Sequence, residues 1–312
     1  MKKDNLAFIF PGQGSQKIGM LADLAAAYPV VQATFGEASD ALGYDMWDMI
    51  QNGQQEDINL TERTQPILLT SSVAIWRIWQ ARNGAAPALL AGHSLGEWSA
   101  LVCAGSIAFA DALKLVRMRG AFMQEAVPFG EGAMAAIIGM DDDVIRDACT
   151  QAAGDQVVAP VNYNSPGQVV IAGNAAAVER AIALLKDAGC KRALPLPVSA
   201  PFHTSLMRPA ADRLAEHIQA TPFKAPAIPV VHNVHGRTEA DPDTIKTLMI
   251  EQIFHPVLWV DCMQALVKGD IDTVVECGPG KVLAGLAKRI EKSITAYTTD
   301  DVDSLNKAIT EL

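Results

Sequence analysis

The chain of 312 residues is half apolar and only 19% charged, without a low-complexity tract or fixed-period repeat, which excludes disorder and a solenoid and describes a globular protein with a large core. A net charge of −10 excludes general nucleic-acid binding, which needs a dense basic surface, so an anionic partner has to meet a local basic patch. No apolar run approaches bilayer length, and five scattered cysteines without CxxC or Cys/His spacing read as buried thiols in a reducing compartment rather than as disulfides or metal ligands.

At the start of the chain, Met1-Lys2-Lys3 precedes an apolar stretch at 6–10 that is too short for a signal segment and ends in Pro11-Gly12. A cytoplasmic protein is expected, with no membrane or nucleic-acid partner, no cofactor and no metal, and as a monomer. Residues 6–10 read as a buried strand that runs into the Gly-rich loop Pro11-Gly12-Gln13-Gly14-Ser15. Over 64–81, Ile67, Leu68, Ala74, Ile75, Ile78 and Trp79 recur at helical spacing, with Thr64 as the expected N-cap. Next come a strand at 88–91, the turn Gly92-His93-Ser94-Leu95-Gly96 and a helix at 97–104.

From about 130 the texture changes. Strand 133–138, helix 142–153, strand 157–163, a hairpin at 164–167, strand 168–172, helix 175–188 and strand 192–197 follow one another. This β-α-β-β-α-β order predicts a small ferredoxin-like subdomain over 129–198, inserted into a large domain made of 1–128 and 199–312. Afterwards helices and strands alternate again, with strands at 228–234 and 273–276 and helices at 206–218 and 281–292. Such alternation predicts an α/β fold, an α/β-hydrolase-like parallel sheet covered by helices on both faces.

The turn at 92–96 matches G-x-S-x-G, the nucleophile elbow, in the strand-turn-helix context that its mechanics require. Glycines on either side of Ser94 let strand and helix nearly touch, so that a strained serine projects its hydroxyl. The helix that begins at Leu95 aims its first N–H groups at the place where a thioester oxygen would become an oxyanion. A pattern with three fixed positions can also arise by chance at a βα turn; context is what favours the elbow.

A serine needs a positioned base, and six histidines are available. His93 adjoins Ser94 and would point away from it. His217 lies in an amphipathic helix, and His232, His235 and His255, near a strand end or beside Pro256, suit structural roles. His203 follows a strand and opens a helix, a loop placement at the sheet edge where sites gather, which makes it the candidate base. No Asp-then-His pair stands in the order that α/β-hydrolases use, so a dyad is expected, its imidazole tautomer fixed by something other than a carboxylate, such as a backbone carbonyl.

Several further segments accompany these: Phe10-Pro11-Gly12-Gln13-Gly14-Ser15-Gln16, Thr64-Gln65-Pro66, Glu97 after the elbow, Arg119-Gly120, Gly132-Ala133-Met134, Asn162-Tyr163-Asn164-Ser165-Pro166-Gly167-Gln168, Gln252 with Pro256-Val257 and Trp259, and Glu276-Cys277-Gly278-Pro279-Gly280. Over essentially its whole length the sequence resembles the malonyl-CoA:acyl carrier protein transacylase family of bacterial fatty acid synthesis. The resemblance implies a malonyl ester on Ser94, with His203 as general base and acid held by the main-chain carbonyl of Gln252. It implies an oxyanion hole made by the amides of Gln13 and Leu95, and Gln65 and Met123 in the acyl pocket. Arg119, by its residues alone a helix-face arginine beside Arg117, becomes the residue that binds the free malonyl carboxylate.

Phe202 adjoins the pocket and should clash with a methyl-branched acyl group, while many stand-alone members of the family carry a smaller residue there. Trp98 replaces a tyrosine often found after the elbow glutamate. The implied partners are malonyl-CoA and an acidic acyl carrier protein, which would dock on basic residues at the site mouth. Lys191, Arg192, Lys281, Lys288, Arg289 and Lys292 are the candidates, with Lys288-Arg289 the best pair. Two rivals are a hydrolase-type esterase or thioesterase and a non-catalytic carrier-docking subunit.

Overall fold

A computed structural model describes residues 2–198 and 200–312; Met1 and Ser199, the expected start of the second stretch of the large domain, lie outside the described residues. The strands are β1 (Lys2–Phe10), β2 (Ala86–Gly92), β3 (Gly132–Ile138), β4 (Val158–Ser165), β5 (Gln168–Asn174), β6 (Arg192–Pro195), β7 (Val230–His232), β8 (Arg237–Thr238), β9 (Thr273–Glu276) and β10 (Thr295–Thr298). They form a six-stranded sheet in the order β10-β9-β1-β2-β7-β8 and a four-stranded one in the order β4-β5-β3-β6.

In the larger sheet all neighbours run parallel except β7 and β8. The apolar run at the end of β1 is buried on both faces, which is why it reads as continuous rather than alternating. Leu6, Phe8 and Phe10 face one side, where Phe8 meets Trp76 and Trp79 of the helix Thr61–Ala81 edge-on at 5.2 and 5.0 Å. Ala7 and Ile9 face the other, against the apolar stripes of Trp259–Lys268 and Val282–Ile290. Helices therefore cover both faces. The loops after β1 and β2 and the segment after β7 leave the sheet at one edge, where the site is built.

The four-stranded sheet is antiparallel throughout. On it lie the helices Asp142–Ala153 and Ala175–Asp187, which bury Ile145, Cys149, Val178, Ala181 and Leu185 against Ala135, Ile137, Val169 and Ile171. Its strand β4 is stitched to the rest of the chain by Tyr163 N–H donating to Val257 O at 3.0 Å and Val257 N–H donating to Val161 O at 2.8 Å.

Three expected elements differ in their bounds. The helix expected to start after Thr64 begins at Thr61, and Leu60 occupies its N-cap position. The buried Thr64 hydroxyl donates to the carbonyls of Ile58 and Leu60, at 2.6 and 3.1 Å, instead of accepting from an N–H group, so the helix extends back by about one turn. The strands expected at 192–197 and 228–234 are also shorter, ending at Pro195 and spanning only Val230–His232. All five cysteines are free thiols. No helix among the described residues is long and apolar enough to cross a membrane, and no group of three His, Cys, Asp or Glu side chains among them could hold a metal.

Candidate active site

Ser94 stands between β2 and the helix Leu95–Cys103 with φ 51° and ψ −108°, a conformation that costs an L-residue about 1–3 kcal/mol. Packing enforces it. A Cβ on Gly96 would lie 2.0 Å from Phe10 O and one on Gly92 2.0 Å from Gly96 C, so strand, turn and helix meet where no side chain fits. The turn is tied to β1 by His93 N–H donating to Phe10 O at 3.0 Å. Beneath it, Asn233 accepts from Ser94 N–H at 2.8 Å and donates through Nδ2 to Gly92 O at 2.7 Å.

His203 reaches the serine from 109 positions further along the chain. Its own φ of 65° turns the loop sharply, and Thr204 Oγ1 closes that loop by donating to Pro201 O at 2.7 Å. Nε2 lies 2.8 Å from Ser94 Oγ, and Nδ1 lies 2.9 Å from the main-chain oxygen of Gln252. A carbonyl can only accept, so Nδ1 carries the proton and Nε2 presents its lone pair to the serine hydroxyl. Burial, followed by the nearby charge of Arg119, pushes the imidazole pKa down to about 3, leaving a neutral base.

Arg119 comes from the helix Phe109–Glu125 and is 2% exposed. Its Nη1 donates to Gln65 Oε1 at 2.8 Å, and its Nη2 to Gln252 Oε1 at 2.9 Å and to Ser94 Oγ at 3.3 Å. Nε has no partner. These acceptors are two neutral amides and a hydroxyl. Burial lowers the guanidinium pKa to about 10, opposed by the charge of Glu97, and the group stays cationic.

Ser94, His203, Gln13, Leu95, Gln65, Arg119, Met123 and Phe202 together line a cavity of about 440 Å³. Its far wall comes from the four-stranded sheet through Met134 and Asn162 and from Leu196 and Val198, so the cavity lies between the two sheets. The Gln13 loop approaches the elbow closely: a Cβ on Gly12 would lie 2.6 Å from His93 O. Gln252 is fully buried behind His203 and does not reach the cavity wall.

Lys288 and Arg289 are not on that wall either. They are exposed in the last turn of Val282–Ile290, and Arg289 Nη1 donates to Gln168 Oε1 at 2.7 Å. Lys281 is drawn to Asp300 and Asp301, at 3.5 and 3.7 Å, and is the least available of the basic candidates. Lys191, Arg192 and Lys292 are exposed. Trp98 is buried beside Phe223, away from the cavity.

Among the other histidines, His93 turns its Nε2 to Asn164 Oδ1 at 2.8 Å, and the ring of exposed His217 lies 6.3 Å from that of Phe122. His255 Nδ1 is 2.9 Å from Glu251 O. His232 is different: with Glu97 and Asn233 it forms a buried polar layer under the elbow that sequence reasoning did not assign. The available signal was a lone charged residue, Glu97, in the mostly apolar segment 95–102, and an asparagine at the end of a buried strand.

An α/β fold that holds a serine on a strained strand-helix turn, against a buried imidazole oriented by a carbonyl, defines the class of serine-histidine acyl-transfer enzymes. The family described as acyl transferase domain matches residues 7–305. Malonyl CoA-acyl carrier protein transacylase of Escherichia coli K12 is 57% identical over 303 residues, covering 97% of this chain and 98% of the relative. Its Bacillus subtilis counterpart is 42% identical over 308 residues, covering 98% and 97%.

Among solved structures, the malonyl-CoA:acyl carrier protein transacylase of Xanthomonas oryzae superposes with a TM-score of 0.98 at 50% identity, covering 100% of this chain and 99% of that one. A malonyl-transacylase in complex with its type II polyketide acyl-carrier protein does so at 0.98 and 52%, covering 99% and 100%. This chain belongs to the acyl transferase domain family, within its malonyl-CoA:acyl carrier protein transacylase group.

Proposed function

We propose that the chain transfers a malonyl group from malonyl-CoA to the phosphopantetheine thiol of acyl carrier protein, in fatty acid synthesis, by way of an ester on Ser94. The observation that carries this is the line Ser94 Oγ, His203 Nε2, His203 Nδ1, Gln252 O, with contacts of 2.8 and 2.9 Å and a buried guanidinium beside it.

In the first half-reaction His203 Nε2 takes the hydroxyl proton as Ser94 Oγ attacks the thioester carbon. The carbonyl oxygen becomes an oxyanion, held by the N–H groups of Gln13 and Leu95. When the C–S bond breaks, the departing coenzyme A sulfur receives the proton from Nε2, and the malonyl group remains on Oγ. In the second half the phosphopantetheine thiol gives its proton to Nε2 and attacks the ester carbon, and Ser94 leaves and is reprotonated. This is a ping-pong sequence run through one imidazole.

Arg119 selects the acyl group. A buried guanidinium that meets two neutral amides and a hydroxyl among the described residues favours an added carboxylate, and its planar fork suits one bidentately. Gln65, Met123 and Phe202 line the same cavity, which supports reading the first two as shaping the acyl pocket and Phe202 as excluding a methyl branch. Acyl carrier protein is taken to meet the exposed pair Lys288 and Arg289.

We read the larger sheet with its helices as an α/β-hydrolase-like domain of 1–128 and 199–312. The segment 129–198 is read as a ferredoxin-like insert, a reading supported by its antiparallel order β4-β5-β3-β6 with two helices on it. Free cysteines suit a reducing cytoplasm. We read the chain as a monomer.

Product analysis with malonyl-CoA and holo acyl carrier protein tests the proposal. Malonyl appears on the carrier faster than free malonate appears; malonate as the dominant product would favour a thioesterase.

A further inference from the structure

Glu97 sits in the first turn of the helix after the elbow, with a fully buried side chain. Its carboxylate accepts from His232 Nδ1 at 2.6 Å, from the backbone N–H of Asn233 at 3.1 Å and from Gln252 Nε2 at 2.8 Å. Burying a carboxylate is costly, and an apolar residue of the same size would avoid that cost. Its presence points to a task that only an acceptor performs.

The Gln252 amide has a donor end and an acceptor end. Its NH2 group donates to Glu97 Oε2 and, at 3.0 Å, to the main-chain oxygen of Ser94, and neither of these can donate in return. The amide oxygen is thereby turned toward Arg119, whose Nη2 donates to it at 2.9 Å. Turned over, the amide would set two donors against the guanidinium and an oxygen against a carboxylate. The backbone carbonyl of the same residue holds His203 Nδ1. Gln252 thus orients the base with its main chain and the guanidinium with its side chain, and Glu97 decides which way that side chain faces.

We propose that Glu97 is a positioning residue for acyl-group specificity: by fixing the Gln252 amide with its oxygen toward Arg119, it aims the guanidinium at the carboxylate of the acyl donor. This rests on the assignment of Arg119 to that carboxylate made above.

The test is the ratio of kcat/KM for malonyl-CoA to that for acetyl-CoA, with kcat and KM read separately, in Glu97→Met, Glu97→Gln, Gln252→Met and Arg119→Ala. Methionine fills the space of glutamate without accepting a hydrogen bond. Glu97→Met lowers the ratio by about 10- to 100-fold, the worth of one hydrogen bond to a charged group. In the Arg119→Ala background it lowers the ratio no further. A packing role alone would slow both donors alike.

Glu97→Gln retains the preference, because its oxygen still faces Gln252 and Asn233 while its NH2 faces His232. The imidazole can then carry its proton on Nε2, which has no partner among the described residues. Should Glu97→Met fail to fold, Gln252→Met carries the test, since it removes the amide oxygen that Glu97 turns toward Arg119.

A wild-type ratio in Glu97→Met, or in Gln252→Met where the former does not fold, overturns the proposal. So does a loss in Glu97→Gln as large as in Glu97→Met, which would make charge rather than orientation the determinant. A ratio that Arg119→Ala leaves unmoved strikes instead at the assignment of Arg119 beneath it.

Discussion

Arg119 Nη2 lies 3.3 Å from Ser94 Oγ, so the group proposed to read the acyl donor's carboxylate touches the atom proposed to attack its thioester. A malonyl group places its carboxylate two carbons from its thioester carbon, and one small cavity can hold both ends. Recognition and reaction are thus neighbours. Arg119→Ala should lower the malonyl-to-acetyl preference by roughly 30-fold to several thousand-fold, the equivalent of about 2–5 kcal/mol for one partner of a buried charge pair. The check is kcat/KM for both donors, and an unchanged preference would remove Arg119 from this role.

The acid side of the pH profile reports on His203. Burial first, and Arg119 second, hold its pKa at about 3 against the ordinary 6.5. Between those values the unfolded chain binds a proton that the folded chain does not. This contribution to stability is therefore fully present above pH 6.5 and is lost as pH falls from 6.5 toward about 3. The acid limb of kcat/KM should accordingly lie well below pH 6.5. Pairing of the malonyl carboxylate with Arg119 offsets the charge that depresses the imidazole, so the acid limb of kcat should sit at higher pH than that of kcat/KM. Coincident limbs at the ordinary histidine value would contradict this.

Carrier docking separates from acylation. Lys288 and Arg289 stand on a surface helix outside the cavity wall, and neither touches Ser94, His203 or Arg119. Reversing both charges, Lys288→Glu with Arg289→Glu, should slow transfer to acyl carrier protein and leave acylation of Ser94 by malonyl-CoA intact. Stopped-flow or quench measurements of each half-reaction check this. Loss of both together would point to a structural effect through the Arg289–Gln168 contact.

Much of this architecture is written locally. Residues 6–10 must be a buried strand because five apolar residues end in Pro-Gly, and the helix expected at 142–153 coincides with Asp142–Ala153 because its apolar positions repeat at helical spacing. The strand expected at 273–276 likewise coincides with Thr273–Glu276. Thr64 shows the limit: whether a threonine caps a helix or bonds back to a carbonyl depends on burial that propensity does not contain.

The elbow is legible because a strained serine needs glycine neighbours. His203 is only one of six histidines until folding brings it to Ser94 from far along the chain. Gln252 acts on the imidazole through a backbone oxygen, which any residue would carry, so only resemblance could single it out. The layer of Glu97, His232 and Asn233 is joined across more than 130 positions, so the local signals at Glu97 and Asn233 do not show that the two meet.

The central claim is a covalent malonyl ester on Ser94, made with the help of His203. Intact-mass spectrometry after mixing with malonyl-CoA tests it most directly. The wild type should gain the mass of one malonyl group and lose it on addition of holo acyl carrier protein, while Ser94→Ala gains nothing and His203→Ala acylates far more slowly. An adduct of equal yield in Ser94→Ala, or none in the wild type, would contradict the account.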